Sequence, residues 1–260
     1  MGFILSAIIW TLIPIIIMSI IMYILKKKVP IAYKIVSWTL LGLFVISAIF
    51  SIFLVKDVLE LKDNFMSGDK LFLLDHENSI VAGFSQGIEE QPTPVRNIAE
   101  LNSFYNSKDY DSMLGSNYKL FIFDSSIFDE LTAVEPFENF RLTKDESFSI
   151  LMSENPVDLV ADKIMEQEGH PAEFKSQILQ QISEQFGSPE DLKSMLFGGM
   201  FISIMEIKGP QFIVTEFKDK NINIYPETLT FKFLRLVPKK TFENIMSQVV
   251  QSSGIEKEVE

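Results

Sequence analysis

The residues best suited to chemistry in this chain are two histidines and the carboxylates beside one of them. Asp75, His76 and Glu77 are consecutive, and imidazole and carboxylate groups are common metal ligands. In an extended chain, neighbouring side chains point to opposite faces, so the three residues predict at most a partial site, in a solvated turn. The second histidine, His170, directly precedes Pro171 at the start of a predicted helix, which favours a capping or surface role.

Catalytic and cofactor-binding motifs receive little support. Neither GxxxxGK[ST] nor GxGxxG occurs, so no phosphate-binding loop is predicted. Asp124-Ser125-Ser126 follows a predicted buried strand, but its spacing fits no strand-end metal motif. The chain has no cysteine, which excludes disulfides, thiolate nucleophiles and thiolate metal sites. Many serines could enter a Ser–His–Asp triad, yet we assign no catalytic residue, no metal ligand and no cofactor.

The most apolar stretch after residue 55 is 195–207, which is too short to span a membrane. We predict that it is a core segment, so that Phe197→Asp and Ile202→Asp should each destabilise the fold. The alternative is a surface that contacts a membrane or a partner, because Gly198-Gly199 would let another backbone approach closely.

The first fifty-five residues predict a transmembrane helical hairpin. They contain no acidic residue and four lysines: Lys26, Lys27, Lys28 and Lys34. Two uncharged runs, about 3–25 and 35–55, are each long enough to cross the ~30 Å hydrocarbon core as a helix. By the positive-inside rule, the lysine-rich loop between them is cytoplasmic and the rest of the chain extracytoplasmic. We therefore expect a two-pass integral membrane protein of the plasma membrane.

The composition of residues 56–260 limits the partners of this part of the chain. Without the four hairpin lysines, 19 basic and 35 acidic side chains remain, a formal charge of −16. A field of this sign repels nucleic acid and anionic lipid headgroups, so nucleic-acid binding is disfavoured. The length is sufficient for one large core or two small ones.

Hydrophobic patterns after the hairpin predict a helical stalk over 56–69, a soluble α+β domain over 70–250 and a polar tail over 251–260. Strands are predicted at KLFLLD and SIVAGF, joined by a hairpin, and again at YKLFIFD. At the other end, QFIVTEF, NINIYP and LTFKFLRLV predict three more strands, followed by a closing helix from Pro238. We expect the strands near Leu71–Phe84 to pair with those near Phe212–Leu236.

Between these strands, helix start and stop signals predict a central helical group. Thr143 and Glu146 form a capping-box pattern, and Asn155-Pro156 and Gly169 bound the next helix. Further helices begin at Pro171 and Ser188. The predicted fold class is therefore membrane-anchored α+β, with a two-helix hairpin ahead of a mixed domain.

Three classes of function fit these predictions. We favour a membrane-tethered interaction or scaffold subunit that presents its acidic domain to a protein partner or membrane complex, because no catalytic set is evident. The first alternative is an extracytoplasmic ligand-binding or sensory domain with a pocket lined by the Phe-rich strands. The least favoured is a hydrolase that uses dispersed carboxylates such as Asp75, Glu77 and Asp124.

Overall fold

A computed structural model describes residues 34, 38–49, 52–53, 56–57, 60, 68–87, 91–137, 140–209 and 212–238. The chain divides into two compact units, Met1–Val58 and Leu59–Glu260.

The membrane-anchored part of the predicted fold is wrong. Within the described residues no helix is both long enough and apolar enough to cross a membrane. The described residues 38–49 are helical and fall in the second predicted span, 35–55. The first predicted span, 3–25, lies outside the described residues.

The predictions that depended on a membrane hairpin therefore also lose their support. The two-pass integral membrane location at the plasma membrane is not supported, and the extracytoplasmic placement of the domain loses its basis. Of the four lysines used to orient the hairpin, Lys34 is described, and it is helical and exposed. Lys26, Lys27 and Lys28 lie outside the described residues.

The second unit is built on a five-stranded sheet with the order β3-β2-β1-β4-β7. Its strands are β1 (Lys70–His76), β2 (Ser79–Gln86), β3 (Thr93–Pro94), β4 (Lys119–Asp124) and β7 (Ile222–Tyr225). The pair β1–β4 is parallel, whereas β1–β2, β2–β3 and β4–β7 are antiparallel. A separate two-stranded sheet consists of β5 (Ala133–Phe137) and β6 (Phe140–Thr143).

Helices precede β4 and fill most of the chain between β6 and the end of the described residues. They are α1 (Ile98–Ser107), α2 (Tyr110–Leu114), α3 (Lys144–Met152), α4 (Pro156–Glu168), α5 (Lys175–Phe186), α6 (Pro189–Lys208), α7 (Phe212–Lys218) and α8 (Leu229–Leu236). Short 3₁₀ helices span Ser125–Phe128 and Ala172–Phe174. The mixed α+β composition of the second unit is thus as predicted.

The central strands are apolar on both faces because helices cover both. Leu71 and Leu120 pack with Leu101 of α1 in one buried cluster. On the opposite face, Phe121 packs with Phe197 of α6 in a larger cluster. Near-continuous apolar runs such as KLFLLD and KLFIFD are the expected sequence of strands buried on both sides.

Local capping signals fix several helix ends. Thr143 and Glu146 form the predicted capping box at the start of α3. The pKa of Glu146 is lowered to about 2, mainly by the Lys163 ammonium and next by hydrogen bonds from Thr143. Gly169, at φ 68°, ends α4 in the left-handed conformation that glycine adopts without a steric penalty.

The predicted carboxyl-terminal strands are mostly wrong. Of the three, only NINIYP contains a strand, Ile222–Tyr225, while Phe212–Lys218 and Leu229–Leu236 are helices. Leu229, Phe233 and Leu236 are spaced as on one face of a helix, but the same run also partly alternates between apolar and polar residues as a strand does. Such a short run does not distinguish the helical period from the strand period. The one strand joins the sheet beside β4 and does not pair with β1 or β2. The predicted helix after Pro238 lies outside the described residues.

Candidate functional site

The sheet topology brings two of the candidate carboxylates together. Asp75, next to the last residue of β1, is in register with Asp124, the last residue of the parallel neighbour β4. Carboxyl ends of parallel strands are the edge at which open α/β sheets commonly bind ligands. Glu77 is not part of this pair, because it lies exposed in the β1–β2 turn at φ 54°. We call the group Asp75, His76, Tyr105, Asp124 and Ser125 the carboxyl edge.

Asp75 is the most perturbed acid of the carboxyl edge. A register shift between Leu74 and Asp75 marks a bulge at this point. The Tyr105 hydroxyl donates to Asp75 Oδ2 at 2.7 Å, whereas Oδ1 is buried and has no hydrogen-bond partner among the described residues. Burial raises the pKa of Asp75 and the charge of Asp124 adds to this, against the opposing bond from Tyr105. Burial and the bond to Asp75 also raise the pKa of Tyr105.

A serine and a histidine of the carboxyl edge lie within reach of each other. His76 Nδ1 is 2.8 Å from Ser125 Oγ, a distance that suits a nucleophile and its general base. The imidazole stacks on Phe148, with ring centroids 5.2 Å apart, and makes no other hydrogen bond in the described part of the chain. Asp124 Oδ1 accepts from the Ser126 amide at 2.8 Å and so caps the following 3₁₀ helix. A triad would need a carboxylate on the second imidazole nitrogen, and no described residue places one there.

The remaining histidine is a surface residue, as predicted. His170 is exposed, with Nε2 2.5 Å from Glu168 Oε2 and its ring stacked on Phe174. Across the described ranges, no group of three or more histidine and acidic side chains is arranged to hold a metal ion.

Sequence reasoning missed one motif. Gly83-Phe84-Ser85-Gln86-Gly87 matches GxSxG, whose catalytic form places the serine on a sharp turn between a strand and a helix. Here Ser85 lies within β2, and its hydroxyl donates to Asn117 Oδ1 at 3.0 Å. Gly83 is required for packing, because a Cβ there would lie 2.5 Å from Leu73 Cδ2 and 2.9 Å from the Phe72 carbonyl oxygen. The motif is therefore a feature of a packed strand and not a nucleophile elbow.

A larger candidate site lies on the outer face of α6, against β3 and β5. It is an open cavity of about 430 Å³, within the range of small-molecule and side-chain pockets. We call it the α6 groove, and its lining is mainly apolar: Phe84, Gln91, Pro92, Pro94, Pro136, Asp191, Ser194, Met195, Gly198, Gly199 and Ile202.

Two glycines keep the α6 groove open. A Cβ on Gly198 would meet no atom within 4 Å, and one on Gly199 would just reach Pro136. Beside them Ile202 is 61% exposed, whereas Phe197 is fully buried. The prediction that 195–207 is a core segment is therefore right for Phe197 and wrong for Ile202. The alternative, in which Gly198-Gly199 admits another molecule, fits the outer face of the helix.

An ion pair and two prolines define the rim of the α6 groove. Arg96 donates from Nε and Nη2 to the two carboxylate oxygens of Asp191, each at 2.8 Å, and this contact lowers the pKa of Asp191. Pro92 and Pro94 lack the N–H groups that an edge strand offers to an added strand. Recognition at this rim therefore depends on side chains and not on sheet extension.

Searches for related proteins add no constraint on function. Comparison with protein families, curated proteins and solved structures found no match to this chain. The assignment of function therefore rests on the geometry of the two candidate sites. At the carboxyl edge the side chains bond mainly to each other or to the adjoining backbone, whereas the α6 groove presents open apolar surface.

Proposed function

We propose that this chain is a protein-interaction module and that its α6 groove receives an apolar side chain of a partner protein. The observation that carries the proposal is the open space at Gly198 beside the exposed Ile202, on a helix whose opposite face is buried. Glycine lowers the stability of a helix interior, so two adjacent glycines at an open surface favour a role in close approach.

The charge of the chain indicates the kind of partner. Residues 56–260 have a formal charge of −16, and Glu89 and Glu90 directly precede Gln91 of the groove in the sequence. Glu135 is exposed next to Pro136, and Arg96, a cation at the rim, is engaged by Asp191. A partner segment with basic residues around its apolar anchor would gain from this field in association rate and specificity.

The apolar anchor would supply a modest part of the binding free energy. Burial of one leucine or isoleucine side chain contributes about 1.5–3 kcal/mol. The proline, methionine and phenylalanine side chains of the groove walls would contact such an anchor and help to exclude water from it.

A peptide titration tests the proposal. The full chain is titrated against fluorescent peptides of sequence Lys-Lys-Leu-Leu-Lys-Lys, Lys-Lys-Ser-Ser-Lys-Lys and Glu-Glu-Leu-Leu-Glu-Glu, and anisotropy reports binding. We expect the first peptide to bind best, because it alone supplies both the anchor and the opposite charge. Gly198→Leu, which places a side chain in the open space, should remove the preference for leucine over serine, whereas Phe174→Ala outside the groove should not.

The proposal fails on either of two results. Equal binding of the leucine and serine peptides would show that charge alone attracts them. A preference for leucine that survives Gly198→Leu would place the apolar site elsewhere on the chain.

A further inference from the structure

A serine and a histidine of the carboxyl edge have the geometry of a nucleophile and its general base. His76 is the last residue of β1, and Ser125 directly follows β4, the parallel neighbour of β1. Ser125 Oγ and His76 Nδ1 are 2.8 Å apart, although the two residues are 49 positions apart in the sequence. The sheet therefore sets this contact, at the edge where open α/β sheets commonly bind ligands.

Aromatic packing orients the imidazole of this pair. The His76 ring stacks on Phe148 of α3 at 27°, and the Phe148 ring centroid lies 6.3 Å from that of the fully buried Phe128. A general base of this kind is oriented by a third group, which is a carboxylate in serine proteases. Loss of that carboxylate lowers kcat of a serine protease by about 10⁴. Since Phe148 supplies orientation but no charge, we expect His76 to assist reactions of esters with good leaving groups.

The surroundings of the pair indicate which ester could react. Ser125 and His76 are each partly exposed, so a small molecule can reach them from solvent. Their neighbours in the sequence, Asp124 and Glu77, are exposed acidic residues. Negative charge at these two positions disfavours an anionic substrate, and an uncharged ester is therefore the better fit.

We propose that Ser125 is a nucleophile that accepts acyl groups from uncharged esters, with His76 as its general base. Ser125 Oγ attacks the ester carbonyl carbon while its proton passes to His76 Nδ1. The bond from this carbon to the alcohol oxygen then breaks, the alcohol leaves with that proton, and an acyl ester of Ser125 remains. Water attacks this ester with His76 again as the base, which releases the carboxylic acid and restores the serine hydroxyl. This site is independent of the α6 groove and does not need the peptide-binding function to be correct.

Acetylation by 4-nitrophenyl acetate tests the proposal on the full chain. Absorbance follows the release of 4-nitrophenolate, and peptide mass spectrometry locates and quantifies the acetyl group. The chain has no cysteine, so no thiol competes for the reagent. We expect an acetyl ester at Ser125 that hydroxylamine removes. His76→Gln should slow the acetylation of Ser125 by about 100-fold, the lower end of the contribution of a general base. His170→Gln, at the exposed second histidine, should leave the rate unchanged.

Four outcomes would overturn the acylation site. The first is acetylation confined to lysine amines, which hydroxylamine does not reverse. The second is equal acetylation of Ser125 and its exposed neighbour Ser126, which would show ordinary hydroxyl reactivity. The third is an unchanged rate in His76→Gln. The fourth is full release of 4-nitrophenolate in Ser125→Ala together with its loss in His76→Gln, which would make the imidazole the nucleophile.

A second ester tests the charge of the substrate. The anionic ester 4-acetoxybenzoate should acetylate Ser125 more slowly than 4-nitrophenyl acetate, when each rate is divided by the rate of hydrolysis of that ester in buffer. Equal ratios would contradict the preference for an uncharged ester. Gly198→Leu should leave the acetylation of Ser125 intact, so failure of this site is distinguishable from failure of the α6 groove.

Discussion

The two faces of α6 have similar apolar composition and opposite roles. Phe197 and Met200 are fully buried and pack against the large sheet. Gly198, one residue beyond Phe197, lines the α6 groove, and Ile202, two residues beyond Met200, is 61% exposed there. The comparison shows that one apolar run in a helix can fill a core on one face and leave apolar surface exposed on another, because successive residues are about 100° apart around the helix axis.

The largest expected effect on stability is that of a substitution on the buried face of α6. Phe197→Asp removes a ring that contacts Phe84, Phe123 and Phe128 and puts a carboxylate in its place. We expect a loss of about 4 kcal/mol or more in the free energy of unfolding, because cavity formation and charge burial both oppose folding. Urea unfolding of the full chain followed by circular dichroism measures this loss. A midpoint equal to that of the wild type would mean that this face is not the core.

Loss of the ion pair at the rim of the α6 groove is expected to lower the free energy of unfolding by a smaller amount, which depends on pH. The Arg96 guanidinium lowers the pKa of Asp191, so the ionised pair stabilises the fold above the ordinary carboxylate range. This contribution is lost as the pH falls through the lowered pKa. We therefore expect Arg96→Gln to lower the urea midpoint at neutral pH and to have a progressively smaller effect as the pH falls below the ordinary carboxylate range. A pH-independent difference would assign the loss to packing of the Arg96 stem.

The contribution of Asp75, at the carboxyl edge, to the free energy of unfolding is expected to change with pH in the opposite direction. Burial raises the pKa of Asp75, so the native state holds this proton more tightly than the unfolded state does. The ionised carboxylate therefore opposes folding once the pH exceeds its ordinary range. Asp75→Asn should raise the urea midpoint at pH 7 and leave it unchanged in acid, while the Tyr105 hydroxyl keeps an acceptor. If Asp75→Asn instead destabilises the chain at pH 7, the ionised carboxylate gains more from its hydrogen bonds than it loses by burial.

Glycine substitutions sharpen the contrast between open and packed surface. Gly198→Ala should stabilise the chain by about 0.5–1 kcal/mol, because the helix gains and the new methyl group meets nothing. Gly83→Ala should destabilise it, since the Phe72 carbonyl cannot move away as a side-chain tip can. Thermal unfolding of both variants tests the pair, and a loss of stability in Gly198→Ala would mean that the groove is closed.

Local signals explain what the sequence predicted correctly. The capping box at Thr143 and the left-handed glycine at Gly169 act within a few residues, so pattern alone locates these helix ends. The strands of KLFLLD and KLFIFD are predictable because their apolar runs are short and bounded by polar residues.

Long-range packing explains what the sequence did not predict. Phe212–Lys218 and Leu229–Leu236 are helices although their short apolar runs fit both periods, and the choice between them depends on tertiary contacts. The α6 groove combines residues near 92, 136 and 198, which are far apart in the chain. The register that sets Asp75 beside Asp124 is likewise a property of the sheet and not of either segment.

The smallest effect on stability tests the central claim most directly. Ile202→Asp should change the free energy of unfolding by no more than about 0.5 kcal/mol, as expected at an exposed site. Phe174→Asp, at an aromatic residue that is 45% exposed and outside the groove, serves as the matched control. In the peptide titration, we predict that Ile202→Asp abolishes the preference for the leucine peptide over the serine peptide and that Phe174→Asp retains it. Retention of the preference in Ile202→Asp, or its loss in both variants, would contradict the assignment of the α6 groove as the recognition surface.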